Sequence, residues 1–276
     1  MGDRKTFCVM EQGGYPNEEL TEIHKRQFNT DVSDFYRLNF KTEDDPNAFI
    51  TGLDTTHTEG RNLLYHNVPK KYDYYIFIDD DVTFQNDNPA PQIKELLDEY
   101  KPISGTFYDR SKQWHAIKNY SGGPSVSPIL SFDLAVSIYS ESAAEVLFPQ
   151  FWHAEDVPRF NQYALGKLYP QKQMIFYDVV IDNSESRDQD LLKFEPVDNA
   201  TNNFMSTVIQ EDIWEKYHHS GPGWKKYIFS ENMKLLQNTE VSKNEVEFTM
   251  DDYCKFVKCQ SENFVNRTTT YERTNI

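Results

Sequence analysis

Cysteine is scarce in this chain of 276 residues: Cys8, Cys254 and Cys259 are all it has. Three scattered thiols cannot build a disulfide framework or a zinc ribbon. Cys8 lies in an apolar run and reads as a core residue, while Cys254 and Cys259 are spaced too widely for a metal knuckle. A reducing, cytoplasmic setting is therefore expected. Long apolar runs are missing too; the longest are strand-sized, so no membrane span is expected. Early charge at Asp3-Arg4-Lys5 argues against a signal peptide. Positive charge is short, with 28 Lys+Arg against 44 Asp+Glu and a formal net charge of −16. Recognition of a phosphate backbone needs clustered cations, so the balance argues against a nucleic-acid partner and against an anionic membrane surface. A nucleotide ligand stays open if a local cation, such as a metal, neutralises its phosphates. Neither repeats nor low-complexity stretches occur. Acceptor patterns for glycosylation at Asn119, Asn199 and Asn266 are about as many as chance gives in a chain this rich in Asn, Ser and Thr, and carry no weight.

Aromatic residues are plentiful, at 14% with 17 Tyr and 19 Phe. They suffice for a core and leave rings for stacking on flat ligands, sugars included. The length suits one large α/β domain, or a domain with an appendage. We expect a catalytic-type domain over 1–238 and a C-terminal extension over 239–276 that packs on it.

The most informative stretch is Tyr74-Tyr75-Ile76-Phe77-Ile78 running directly into Asp79-Asp80-Asp81. The apolar part predicts a strand buried on both faces, as inside a parallel sheet. The acids then fall at its C-terminal end, where open α/β sheets bind ligands. Three adjacent carboxylates repel one another, and a divalent metal would remove that cost. If the chain stays extended, Asp79 and Asp81 share a face and Asp80 points elsewhere. The bland alternative is a solvated acidic turn after a core strand.

Around this stretch the pattern alternates strand and helix. Thr6–Met10 predicts a first strand, followed by a loop at Glu11-Gln12-Gly13-Gly14-Tyr15-Pro16. Asn17 is a good N-cap for a helix to about Phe28, with Leu20, Ile23, His24 and Gln27 on one stripe. Asp34–Phe40 predicts a second strand, and Thr58–His66 a helical segment. After the acids, Pro89 and Pro91 reopen the chain into a helix with Ile93, Leu96, Leu97 and Tyr100 at helical spacing. Strands are predicted at Pro102–Tyr108, Ser131–Tyr139 and Met174–Ile181. Asp109–Ser127 reads as an irregular excursion. Ser142 and Glu145 have capping-box spacing, and a helix to about Leu168 follows Glu155-Asp156. Beyond Asp182 the pattern weakens.

A strand that ends in Asp79-Asp80-Asp81 after a β–α–β unit resembles the DxD motif of GT-A glycosyltransferases. The resemblance spans roughly residues 5–185 as architecture, although few residues carry it. It implies an α/β, GT-A-like (Rossmann-type) fold with a mixed, mainly parallel central sheet flanked by helices. It also implies a UDP-sugar donor, Mn²⁺ or Mg²⁺, and an oligosaccharide or glycoprotein acceptor. Asp81 and Asp79 would serve the metal, and Asp79 and Asp80 the nucleotide sugar. Oxygen ligands do suit such hard cations, which are commonly shared between one or two carboxylates and substrate phosphates. The segment Thr58-Glu59-Gly60-Arg61 is similar to the one that presents an arginine to the nucleotide, with a surface salt bridge the competing role for Arg61. Gln12 and Tyr15 lie on the loop where such enzymes grip the base. Glu155-Asp156 resembles the second acidic motif, which implies Asp156 as general base and Glu155 as its alternative. Helix N-terminal carboxylates stabilised by the dipole are the plain reading of that pair. The downstream His of many members has no counterpart near Asp182, so Asp182 or water would complete the metal site, and Arg187 or Lys225 would hold the diphosphate. His218 and His219 suit acceptor-site or structural roles. Compact size, acidic composition and the missing membrane anchor are most similar to the soluble glycosyltransferases that chloroviruses encode for capsid glycans. That likeness implies the host cytoplasm and an inverting, UDP-xylose-using enzyme.

Two other readings compete. Asp79-Asp80-Asp81-Val82-Thr83 fits the DxDx(T/V) motif of HAD phosphatases, where the first Asp is a nucleophile. That motif belongs on the first strand of its domain, and here two strands precede it. A glycan-binding module without chemistry would instead use Trp114, Trp152, Trp214 and Trp224 as sugar platforms.

Overall fold

A computed structural model describes residues 4–14, 18–111, 125–130, 132–148, 150, 157–184 and 238–259. Its sheet is built from β1 (Phe7–Gly13), β2 (Ser33–Asn39), β3 (Ile50–Thr51), β4 (Tyr74–Asp79), β5 (Thr83–Phe84), β6 (Ser104–Asp109), β7 (Val126–Pro128), β8 (Val136–Ser140) and β9 (Gln173–Asp182). The strand order is β3-β2-β1-β4-β8-β6-β9-β5, with β7 paired to β9 off that path. Strands β3, β2, β1 and β4 are mutually parallel. Strand β8 runs against β4 and β6, and β6 and β9 are parallel again. The sheet is thus mixed and mainly parallel, as the resemblance implied.

Helices cover both faces: α1 (Glu18–Phe28), α2 (His57–Asn67), α3 (Pro89–Tyr100), α4 (Glu141–Leu147) and α5 (Val157–Leu168). The period-two alternation of the strands divides the core in two. Phe7, Val9, Ile76 and Ile78 pack with Phe28 of α1 and with Ile93 and Leu97 of α3. Cys8, Met10, Tyr75 and Phe77 pack on the other face with Leu64 of α2 and with Ala143 and Leu147 of α4. The same second cluster takes in Phe248, so the segment after residue 238 reaches the core. Buried Lys172 donates to the carbonyls of Tyr100, Ser242 and Asn244 at 2.7, 3.0 and 2.7 Å, which ties that segment down.

Most predicted elements match the fold, and the departures have local causes. The strand predicted at Ser131–Tyr139 begins only at Val136, because Asp133 turns back to accept from the Ala135 N–H at 3.0 Å. Helix α4 is capped by Ser140, whose side chain accepts from Ala143, and not by Ser142. The short strands β3, β5 and β7 had no sequence signal; two or three residues are too few for a period to register. Most of the irregular excursion predicted for Asp109–Ser127 lies outside the described residues.

Gly105 shows how tightly the strands fit. It sits in β6 between Ile138 and Met174, and a Cβ there would drive into the Met174 carbonyl oxygen. That obstacle is backbone and cannot swing away. Gly105→Ala should lower stability by about 1–3 kcal/mol, the usual cost of overpacking. Urea unfolding checks this: the midpoint should fall with the slope unchanged, and an unchanged midpoint would contradict the close approach.

Candidate functional site

Strands β1 and β4 run side by side, and their C-terminal ends meet at the pair Gln12 and Asp79. The last N–H of β4, on Asp79, donates to the Ala135 carbonyl at 3.0 Å. The chain then turns, with the Val82 N–H donating to the Asp79 carbonyl at 3.3 Å. Asp80 and Asp81 therefore lie in a turn, and the extended alternation expected for the three acids is corrected. Each acid faces different surroundings.

Asp79 is held by helix α2. That helix begins with a complete capping box: the Thr56 side chain accepts from the Glu59 N–H, and the Glu59 carboxylate accepts from the Thr56 N–H. The box fixes the first turn, and His57 and Arg61, four residues apart, share one face. His57 Nε2 lies 3.3 Å, and Arg61 Nη2 3.2 Å, from Asp79 Oδ1. Partial burial pushes the Asp79 carboxyl up, but these two contacts outweigh it and hold the group below its ordinary range. Both contacts fall on Oδ1. Arg61 is only 2% exposed, which rules out the surface salt bridge. Its guanidinium also donates to the Leu134 carbonyl at 2.5 Å and to Ser137 Oγ at 3.3 Å, and lies 5.4 Å from the Phe77 ring centre. It therefore orients Asp79 from behind. Gln12, on the facing strand, donates through Nε2 to the Thr56 carbonyl at 3.2 Å.

Asp80 ties the turn to the end of β1. Its Oδ2 accepts from the Gly14 N–H at 3.1 Å. A Cβ on Gly13 would lie 2.7 Å from that same oxygen and 2.7 Å from both Arg37 Nη atoms, so only glycine leaves room for them. Burial, then the nearby Glu11 charge, push Asp80 up to about 6, against the pull of Arg37.

Beneath Asp80 lies a buried charge cluster. Glu11 follows Phe7 and Val9 on the α1 face of β1, and Arg37 is its direct register partner on β2. Arg37 pairs with Glu11 Oε1 through Nη1 and with Asp45 Oδ2 through Nε at 2.9 Å. The Asn39 amide donates to the same Asp45 oxygen at 2.9 Å. His24 of α1 meets Glu11 Oε2 through Nδ1, and its Nε2 lies 2.8 Å from the Val82 carbonyl. Glu11 and His24 are wholly buried and Arg37 is 1% exposed.

Asp81 is half-buried. Among the described residues no group of three or more His, Cys, Asp or Glu side chains is arranged to hold a metal. Among those residues there is thus no closed, all-protein cage of the structural-zinc kind. The donor set does fit a magnesium-like cation, which keeps waters and substrate phosphates and takes one or two carboxylates from protein. Asp81 offers such a carboxylate, and Asp79 Oδ2 a second. Asp182 stands two residues from Asp81 through the register pair with Thr83. Its carboxylate is already engaged by Arg110 and the Ser184 N–H, and Ser184 is the main reason it sits below its ordinary pKa.

Of the remaining candidates, Tyr15, Glu155, Asp156, Arg187, Lys225, His218, His219 and the four tryptophans lie outside the described residues. Four contributors escaped the sequence reading: His57, Glu11, His24 and Arg37. His57 had a signal, since Thr56-x-x-Glu59 is a capping box and the i, i+4 pair His57/Arg61 follows from it. Glu11 also had one, as an acid that continues an apolar strand.

No family model matches the chain, and no curated protein matches it by sequence. In structure it is similar to the mannosyltransferase PcManGT of Pyrobaculum calidifontis, solved with GDP-mannose and Mn²⁺. That alignment has a TM-score of 0.50 and 12% identity, and covers 84% of this chain and 72% of the other. A glycosyltransferase involved in glycosylating the major capsid of PBCV-1 aligns at a TM-score of 0.35 and 12% identity, over 66% of this chain and 95% of the other. The catalytic domain of Drosophila β1,4-galactosyltransferase 7, solved with xylobiose, aligns at 0.38 and 12%, over 79% and 83%. The mannosyltransferase alignment identifies the fold as GT-A-like.

The charge cluster makes a prediction about acid. Burial would raise Glu11, but His24 and Arg37 outweigh it and hold the carboxyl below its ordinary 4.5. Its stabilisation is therefore complete above about pH 4.5 and is lost as pH falls through the lower folded value. Glu11→Gln breaks the buried ion pair with Arg37, which keeps only Asp45, and should cost about 3–5 kcal/mol at pH 7. It should also flatten the loss of stability on acidification below that pH. Denaturant melts across pH test both; a variant as stable as the parent would contradict the geometry.

Proposed function

We propose that this chain is a divalent-cation-dependent glycosyltransferase. It transfers a sugar from a UDP-sugar, with UDP-xylose the first donor to try, to a hydroxyl of an oligosaccharide or glycoprotein, with inversion. The observation that carries this reading is the Asp79–Asp81 turn. It closes the C-terminal end of β4 beside the Gly13-Gly14 end of β1, in a sheet of GT-A-like fold.

The residues take distinct roles in this mechanism. Asp81 would hold the cation, and Asp79 Oδ2 is the second candidate ligand. A bound Mn²⁺ or Mg²⁺ supplies Lewis-acid stabilisation to the departing diphosphate. Arg61 and His57 keep the Asp79 carboxylate ionised and fixed, so it meets the sugar nucleotide without reorganising. In this reading Gln12 and Tyr15 would contact the nucleotide, and Arg187 or Lys225 would hold the diphosphate. Asp156, directly before α5, takes the proton from the acceptor hydroxyl as that oxygen attacks the anomeric carbon; Glu155 is the alternative base. The phosphatase reading loses support because the acids follow the fourth strand of the chain.

The test is a panel of nucleotide sugars, including UDP-xylose, UDP-glucose and GDP-mannose, each with Mn²⁺ or Mg²⁺. Thermal stabilisation and release of nucleoside diphosphate are scored. We expect stabilisation that needs both metal and nucleotide. Asp81→Ala should abolish it. Asp156→Ala should keep nucleotide binding and slow transfer by about 10²–10⁴-fold, the usual contribution of a general base. If no nucleotide sugar stabilises the protein, the reading fails; if Asp156→Ala transfers normally, the base is elsewhere.

A further inference from the structure

His24 is wholly buried, yet both of its ring nitrogens meet oxygen. Its ring is surrounded by Phe28, Phe35 and Phe84, with centroids 6.4, 6.2 and 6.1 Å away. An imidazole in such a setting is held in one orientation. The Val82 carbonyl can only accept, so Nε2 must carry a proton and donate to it. Nδ1 faces Glu11 Oε2, whose other oxygen is paired with Arg37.

The acceptor is what gives this geometry a function. Val82 is the residue directly after Asp81, and its own side chain is fully buried in the core. On the other side of Asp81, the Asp80 carboxylate is tied to the Gly14 N–H. Asp81 is thus bracketed by two anchors, one from β1 and one from α1. The α1 anchor is His24, and it is the one that crosses from the helical layer to the turn.

We propose that His24 is a positioning residue: through its Nε2–H bond to the Val82 carbonyl it sets where Asp81 presents its carboxylate, and so sets affinity for the cation–nucleotide pair. This inference rests on the transferase reading above. The chemistry is that of a support beneath a metal ligand, whose loss commonly weakens metal affinity by about 10- to 100-fold.

Two near-isosteres separate positioning from mere packing. A glutamine amide nitrogen can occupy the place of Nε2, and an asparagine amide nitrogen that of Nδ1. His24→Gln therefore keeps the bond to Val82 and gives up Glu11, while His24→Asn does the reverse. Calorimetry of UDP and of GDP, each with Mn²⁺, is run on full-length wild type and both variants, alongside melting temperatures. Both variants should melt lower. His24→Gln should bind within about threefold of wild type, and His24→Asn should bind about 10- to 100-fold more weakly. Equal weakening in both variants, or weakening that follows the melting temperature, overturns the inference alone. Absence of Mn²⁺-dependent binding of either nucleotide to the wild type overturns the transferase reading, and this inference with it. A second measurement needs no variant. With ¹⁵N-labelled histidine in the wild type, the His24 Nε2–H signal should shift when Mg²⁺–UDP or Mg²⁺–GDP binds; a signal unmoved by the bound nucleotide overturns the proposal.

Discussion

The buried contact of Glu11 with Arg37 and His24 is the constraint around which the site is arranged. Taking a carboxylate out of water is costly unless good hydrogen bonds and opposite charge meet it. Glu11 lies mid-sheet with no access to solvent, so Arg37 must sit beside it and His24 must face it from α1. Once these are fixed, Arg37 has Asp45 as its second partner, and the space above Gly13 is filled by the guanidinium and Asp80. The acidic turn is therefore seated on a charge lattice, and its three members are unequal. Asp79 is restrained by a helix, Asp80 by a strand end, and Asp81 lies between the anchors at Asp80 and Val82.

Much of this was legible in the chain. An unbroken apolar run meeting three acids located both the central strand and the site edge, because a doubly buried strand leaves no other place for charge than its end. The prolines at 89 and 91 and the helical spacing of Ile93, Leu96 and Leu97 marked the existence of α3. What stayed hidden was non-local. Nothing in Val136–Ser140 announces that this strand runs against β4, yet that direction delivers the Ala135 carbonyl to Asp79 and Ser137 to Arg61. Period-two reasoning failed at Asp80 because it assumes an extended backbone, and the hydrogen bond from Val82 to Asp79 had already ended the strand.

Arg61 and His24 illustrate the same difficulty from the side-chain end. A polar or charged side chain in a helix gives no sign of a buried partner, and for Arg61 the surface reading competed, since such groups are seldom buried without partners. Here each is buried because its partner is on another element, 18 positions away for Arg61 and Asp79, and 58 for His24 and Val82. Sequence spacing within one helix cannot reveal those partners. The acid that continues an apolar strand is the better clue, because a buried carboxylate requires a cation from some neighbouring layer.

The ordered strand path begins with β3 and ends with β5, each only two residues long. A sheet with long bare borders offers unpaired backbone groups to any other extended chain, and can grow by recruiting it. Among the described residues, the β5 border presents hardly one ladder of such groups, whereas β3 covers only Leu38 and Asn39 of β2. The turn that carries the acids leads directly into the β5 border, Thr83–Phe84. The same few residues that shape the ligand edge thus also keep this border of the sheet short, so a change that lengthens it risks self-association as well as a misplaced site.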